Sequence, residues 1–275
     1  MLDGWKYYRI IMIGLWIYLG VVMTLMEISR SLYKILSKLN DTGVIIMNYY
    51  KRITRRIQNE GMFKTMQYML LVSLYCSREF IYNICLDLRY SHRLLKGNHK
   101  SLYKSQGAND VYHTRYSVMH IIFHFVPIKK SDVLVDVGCG KGRVINYWLS
   151  KKYHNKIYGL ELDRNIALRT TKQFAKWKNV TIVPGDAISN IPNNGTILYF
   201  YNPFSEEVVR RFEKTLIERF KNRKVTIVYY NPKSIHVFQN QNWKIRYINF
   251  DRDLGLKRWG RINKYHELAI IKKRA

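Results

Sequence analysis

Two hydrophobic rhythms divide the chain near residue 109. Before it, apolar positions recur at helical spacing: Ile28, Leu32, Ile35, Leu36 and Leu39 fall on one face of a 3.6-residue repeat, and the rhythm predicts helices over 30–60 and 61–95. After it, short β-branched runs alternate with helix-period segments, the pattern of an α/β domain built on a parallel sheet. Strands are expected at 133–137, 156–162, 180–184, 196–201 and 224–230, with helices at 143–152, 164–177 and 206–220 between them. Two further runs, 243–250 and 264–272, are expected to pair antiparallel across a basic loop. The polar, glycine-bearing stretch GNHKSLYKSQGAN (97–109) marks the cut between a helical region, 1–109, and an α/β domain, 110–275.

One apolar run stands apart. Ile10 to Met26 holds 17 residues without a charge, at the short end of the roughly 17 to 25 that cross a bilayer. Trp5, Tyr7 and Tyr8 stand where an interfacial aromatic belt would stand. No small-x-small site follows, so a cleaved signal peptide fits poorly; the competing reading is a buried helix at the start of a helical layer. As a span, 10–26 has its heavier cationic flank downstream, in Arg30, Lys34, Lys38, Lys51, Arg52, Arg55 and Arg56. That asymmetry predicts a single-pass membrane protein with residues 27–275 in the cytoplasm, a purely cytoplasmic protein being the alternative. A second apolar run, Met66 to Cys76, is too short to span and reads as a core or interfacial helix.

Charge adds a partner class. The 275 residues carry 47 Lys and Arg against 19 Asp and Glu, a formal net charge of +28, and the excess runs along the whole chain: 16 basic against 7 acidic residues in 1–110, and 31 against 12 thereafter. Such a surface attracts polyanions, either nucleic acid or the anionic face of a membrane, and a Lys-, Asn-, Ile- and Tyr-rich coding bias is the competing explanation. With 47% hydrophobic residues the chain buries a core, which excludes wholesale disorder. Three cysteines without a C-x-x-C offer neither a disulfide framework nor a zinc ribbon, and point to a reducing compartment.

The first strand of the α/β domain runs into Asp136-Val137-Gly138-Cys139-Gly140-Lys141-Gly142. Alternate glycines let a backbone turn tightly and approach a nucleotide-like ligand at a helix N-terminus. A dinucleotide fingerprint requires its third glycine at 143, where this chain has Arg143. VLVDVGCGKGRV resembles motif I of the class I methyltransferases that use S-adenosylmethionine, and the resemblance extends over about residues 111 to 272. It implies a Rossmann-like sheet, mostly parallel with an antiparallel last strand, preceded here by an all-helical region with a candidate transmembrane helix. It also implies cofactor contacts from Asp136, Gly138, Gly140 and Gly142.

Two downstream acids agree with that resemblance. Glu161 ends the second strand 23 residues after Gly138, where a carboxylate accepts ribose hydroxyls, and Asp186 follows the third strand like the acid that meets the adenine amino group. Taken singly, either acid reads as a helix cap or a turn residue. Asp163, directly before a helical segment, is the expected cap, and Lys141 and Arg143 read as solvated loop charges.

After the fourth strand comes Tyr201-Asn202-Pro203-Phe204, similar to the Asn-Pro-Pro-aromatic loop of methyltransferases acting on amino or amide nitrogens. In those enzymes the Asn oxygen and a proline carbonyl accept the hydrogens of the target NH2, and the ring stacks on its plane. The resemblance therefore implies catalytic roles for Asn202, Pro203 and Phe204. The second proline is missing and Ser205 occupies the expected ring position, so a plain turn with Ser205 as a helix cap stays open. A second Asn-Pro turn, Asn231-Pro232, is expected beside the first. His113, His120 and His124 form one stripe of an expected helix reaching Val126; with no carboxylate neighbour no metal is expected, and the stripe reads as a packing face or, second, as the source of a general base.

These readings converge on a membrane-anchored methyltransferase acting on a nitrogen of a protein or lipid. A nucleic-acid methyltransferase and a non-catalytic cofactor-binding module are the alternatives. Sequence leaves the acceptor and the oligomeric state open.

Overall fold

The computed structural model describes residues 53–95, 100–110, 112–254 and 267–273. Seven strands form one sheet: β1 (Val133–Val137), β2 (Lys156–Glu161), β3 (Val180–Pro184), β4 (Ile197–Phe200), β5 (Thr226–Tyr230), β6 (Trp243–Asn249) and β7 (Glu267–Lys273), in the order β3-β2-β1-β4-β5-β7-β6. β1 to β5 are parallel; β7 is antiparallel to both β5 and β6. The expected Rossmann-like sheet, mostly parallel with an antiparallel last strand, is the one observed.

Burial explains the sequence pattern. β4 is buried along its whole length and β1 from Leu134 onward, so both read as unbroken apolar runs, as strands covered on both faces must. The pleat sends alternate residues to two cores. Leu134, Tyr199, Val228 and Ile270 face α2 (Tyr116–His124), α3 (Arg143–Ser150) and α4 (Arg164–Phe174). Val135, Leu198, Ile227 and Ala269 face α5 (Glu206–Arg219). Asp163 caps α4 as expected, its carboxylate accepting from the amides of Asn165 (2.8 Å) and Ile166 (3.1 Å).

By its internal contacts the chain divides into two compact units, Met1–Leu74 and Tyr75–Ala275, rather than at residue 109. The helix α1 (Met62–Ser91) crosses that division. Its later turns belong with the sheet because Asp87, buried, accepts from the Tyr116 hydroxyl (2.7 Å), from Arg143 (3.0 Å) and from the Leu95 amide (2.9 Å). No composition shift announces such a polar anchor.

In the first unit, residues 53–60 are helical, and Gly61 breaks the run with φ +82° before α1 begins. Arg56 pairs with Glu60 (2.8 Å) and lies 3.6 Å from the centre of the Tyr68 ring. Within the run expected as a core or interfacial helix, Met69, Leu70, Leu71 and Leu74 are exposed, which removes the core reading for those positions. The 10–26 segment lies outside the described residues. Among the described residues no helix is long and apolar enough to cross a membrane.

Candidate active site

The glycine loop after β1 is fastened to the end of β2. The amides of Gly138 and Cys139 both donate to the Leu160 carbonyl (2.9 and 2.8 Å), and the Gly140 amide donates to Glu161 Oε2 (2.7 Å). Gly138 has φ +76°, is exposed, and comes so near the turn after β4 that a Cβ would lie 2.9 Å from that of Pro203. Gly142, φ +80°, opens α3, and a Cβ there would lie 2.4 Å from the Phe174 ring. Gly138 thus serves an approach from outside, and Gly142 an approach between helices.

Behind the loop sit two buried carboxyls. Asp136 is 3% exposed and its Oδ2 has no partner among the described residues. Burial first and the neighbouring Glu161 charge second push the Asp136 carboxyl well above its ordinary range. Glu161, 6% exposed, accepts from the Gly140 and Asp163 amides (2.7 and 3.0 Å), yet burial outweighs them and raises its carboxyl too. Among the described residues no cation pairs with either acid, and a buried charge without a partner is costly. Burial first, and the Asp136 and Glu161 charges next, push the Cys139 thiol well up, which disfavours its thiolate.

Above these groups a cleft opens over the C-terminal ends of β1 to β3, where open α/β sheets bind ligands. Gly138, Glu161, Asp186, Pro203 and Phe204 all line it; four acids, Asp110, Glu161, Asp163 and Asp186, face it against the one cation Lys100. Asp186 also caps the turn Ala187–Asn190, its Oδ1 accepting from the Ile188 amide at 3.2 Å. Asp136, Gly140 and Gly142 do not line the cleft; they support its floor.

The turn after β4 differs from the expected acceptor loop. Asn202, at φ +46°, already accepts a hydrogen bond at Oδ1 from the Tyr229 hydroxyl (3.0 Å), and the Pro203 carbonyl accepts from the Asn109 amide (2.8 Å). Both oxygens expected to receive a target NH2 therefore have protein partners. Asn109 goes further: its side-chain nitrogen donates to the carbonyls of Asn202 (2.9 Å) and Phe204 (2.7 Å). The Ser205 amide donates to the Gly107 carbonyl (2.7 Å), but its hydroxyl makes no capping bond to α5. The Phe204 ring packs on Phe200 and Phe212, with one side toward the cleft.

A second, polar pocket adjoins the cleft, sharing Asn109, Asp110, Tyr112 and Tyr201 with it and adding Asn202, Asn231 and Lys233. The two Asn-Pro turns are thus neighbours, as expected. Sequence reading missed the 100–110 segment as a wall of both cavities; the only local signal was Gly107, whose φ is +80°. It also misjudged Arg143, which is not a solvated loop charge but half-buried, its guanidinium held by Asp87 and the Leu95 carbonyl. The histidine stripe does not form, because α2 starts at Tyr116, after His113, and His120 and His124 are exposed.

No protein-family model matches the chain, and no curated protein matches it in sequence. Among solved structures it is similar to an RNA methyltransferase of Salinibacter ruber in complex with S-adenosyl-L-homocysteine, at 16% identity and a TM-score of 0.44 over 59% of this chain and 93% of that one. It is similar to a precorrin-6y methyltransferase of Geobacter metallireducens at 14% identity and a TM-score of 0.41, covering 59% of this chain and 88% of that one. A mitomycin 7-O-methyltransferase gives 11% identity and a TM-score of 0.43, over 58% of this chain and 54% of that one.

Proposed function

We propose that the chain is an S-adenosylmethionine-dependent methyltransferase that holds its cofactor in the cleft over β1 to β3. The observation that carries this reading is the buried Asp136 and Glu161 pair, with Asp136 Oδ2 unpartnered, behind a glycine loop that opens on the cleft. A ligand with an ammonium group fits that deficit. When bound, S-adenosylmethionine supplies an electrophilic methyl carried on a sulfonium. On this reading the Asp136 charge draws the ammonium end from behind the glycine loop, Glu161 meets the ribose hydroxyls and Asp186 the adenine amino group, while Gly138 leaves room for close approach. The acceptor enters the adjoining polar pocket, and the protein's contribution is to bring two partners into line.

The test is calorimetric binding of S-adenosylhomocysteine, followed by incubation with methyl-labelled cofactor and host lysate separated into protein, lipid and nucleic acid. Absence of binding would remove the proposal; binding without transfer to any fraction would leave a cofactor-binding module. A nitrogen acceptor on protein or lipid rests on Asn202 giving up its bond to Tyr229. Loss of transfer in Asn202→Ala with retention in Tyr229→Phe supports it, and retention in both makes the turn structural. Membrane anchoring through 10–26 is read separately: an anchored full-length chain stays with membranes in alkaline carbonate, and a released one has no spanning helix.

A further inference from the structure

At the other end of the sheet, where the parallel strands begin, lies a cleft of about 830 Å³. Its floor is apolar: Val126, Ile197, Val225 and Ile270 are buried there. Its walls carry eight cations, in Lys129 after α2, Lys221, Arg223 and Lys224 in the turn before β5, and Lys244, Arg246, Lys272 and Lys273 on β6 and β7. The single acid, Asp132, is already occupied, accepting from the Lys129 amide (2.7 Å) and the Thr196 hydroxyl (2.9 Å). Among the described residues none of the eight cations has a carboxylate partner.

The arrangement is more than an excess of lysine. Lys244 and Lys272 are direct partners across the β6–β7 ladder, and like charges placed opposite each other destabilise a sheet. Arg246 lies two residues from Lys244, hence on the same face and roughly 7 Å further along the strand. Its guanidinium stands over the half-buried Phe125 ring, 5.4 Å from the centre. A row of cations at strand spacing beside an aromatic ring and an apolar floor is what a single strand of nucleic acid requires, phosphates on the wall and a base on the ring. A bilayer surface is flat and does not reach the floor of a concave cleft.

We propose that this cleft binds single-stranded nucleic acid, its phosphates held by Lys244, Arg246, Lys272 and the Lys221–Lys224 turn. The site is a sheet's length away from the acid-lined cleft and does not depend on what the latter binds.

The experiment uses the full chain and a fluorescein-labelled oligouridine, with affinity followed by anisotropy over a salt series. The triple variant Lys244→Gln, Arg246→Gln, Lys272→Gln is compared with a control carrying Lys172→Gln, Lys178→Gln and Lys214→Gln, three lysines away from the cleft. The cleft variant should bind about tenfold or more weakly, and its slope of log affinity against log salt should shrink by about 2, at roughly 0.7 for each phosphate no longer neutralised. The control should stay within about threefold of the parent. Glutamine at Lys244 and Lys272 removes a repulsion, so thermal melting no lower than the parent's confirms that the fold is kept. Equal losses in the two variants, or no loss in either, would overturn the proposal. So would a cleft variant that keeps oligouridine binding and loses binding to phosphatidylserine vesicles, which would make the surface a lipid contact.

Discussion

The two ends of the sheet carry opposite charge. The cleft at the C-terminal ends of the strands is faced by four acids and one lysine, with Asp136 buried behind them, whereas the cleft at the N-terminal ends is faced by eight cations and one occupied acid. Of the four acids Asp110 is paired with Lys104, and Asp163 and Asp186 cap helical turns, so the carboxyl that a cationic ligand would satisfy is Asp136 behind them. The contrast separates two recognition problems that net charge alone confounds: a small cation drawn to one end, and a polyanion held at the other.

The largest effect is expected from the ion pair that anchors α1 behind the glycine loop. Arg143 is paired with Asp87, whose side chain is 2% exposed, and Arg143→Met leaves that carboxylate buried and uncompensated. A stability loss of about 3 to 5 kcal/mol is expected, measured by denaturant unfolding. Asp87→Asn in the same background should recover part of it.

Next in size is Glu161→Gln, which removes the charge and keeps an acceptor oxygen for only one of the Gly140 and Asp163 amides, its NH2 facing the other. Cofactor affinity should fall about 10- to 100-fold, the equivalent of a charge-assisted bond of about 1.5 to 3 kcal/mol, and the melting temperature should fall modestly because one amide loses its acceptor. Glu161→Ala is a poorer probe, since it also releases the amides of Gly140 and Asp163.

A third effect is pH-dependent. Because the Asp136 carboxyl is raised above 3.8 in the folded protein, the native state keeps a proton that the unfolded chain releases. Ligand-free stability should therefore fall as pH rises from about 3.8 toward the raised value, while affinity for a cationic cofactor rises across the same interval. Asp136→Asn should flatten both profiles and raise the melting temperature at neutral pH, as differential scanning calorimetry and binding titrations at several pH values will show.

The smallest effect lies at the basic end. Lys244→Thr removes one member of the like-charged pair with Lys272 and should stabilise the ligand-free protein by about 0.2 to 1 kcal/mol. The gain should shrink at high salt, where the repulsion is already screened. A loss instead of a gain would mean that Lys244 has a stabilising partner.

What was legible in the sequence was local. The Asp163 cap, the glycine loop and the acids at or just after the ends of β2 and β3 all act within a few residues or one strand-helix unit, so helix spacing placed the cap and the family resemblance pointed to the rest. The acceptor side was not legible, because its geometry is set by contacts such as Asn109 with Asn202, 93 residues apart. Arg143 was misjudged for the same reason, its partner Asp87 lying 56 residues upstream in a region that composition assigns to another domain. Position in sequence says where strand ends go; it does not say which distant amide will occupy a carbonyl.

The Asn109 contacts also make that residue a reporter. Its backbone amide is held by the Pro203 carbonyl while its side chain holds the carbonyls on either side of it. Exchange of that amide hydrogen with solvent deuterium requires the turn to separate from the 100–110 segment, the motion that would admit a bulky acceptor. Its exchange rate then gives the opening equilibrium of the pocket directly, and a rate that slows when a methyl acceptor is added would identify the molecule that fills it.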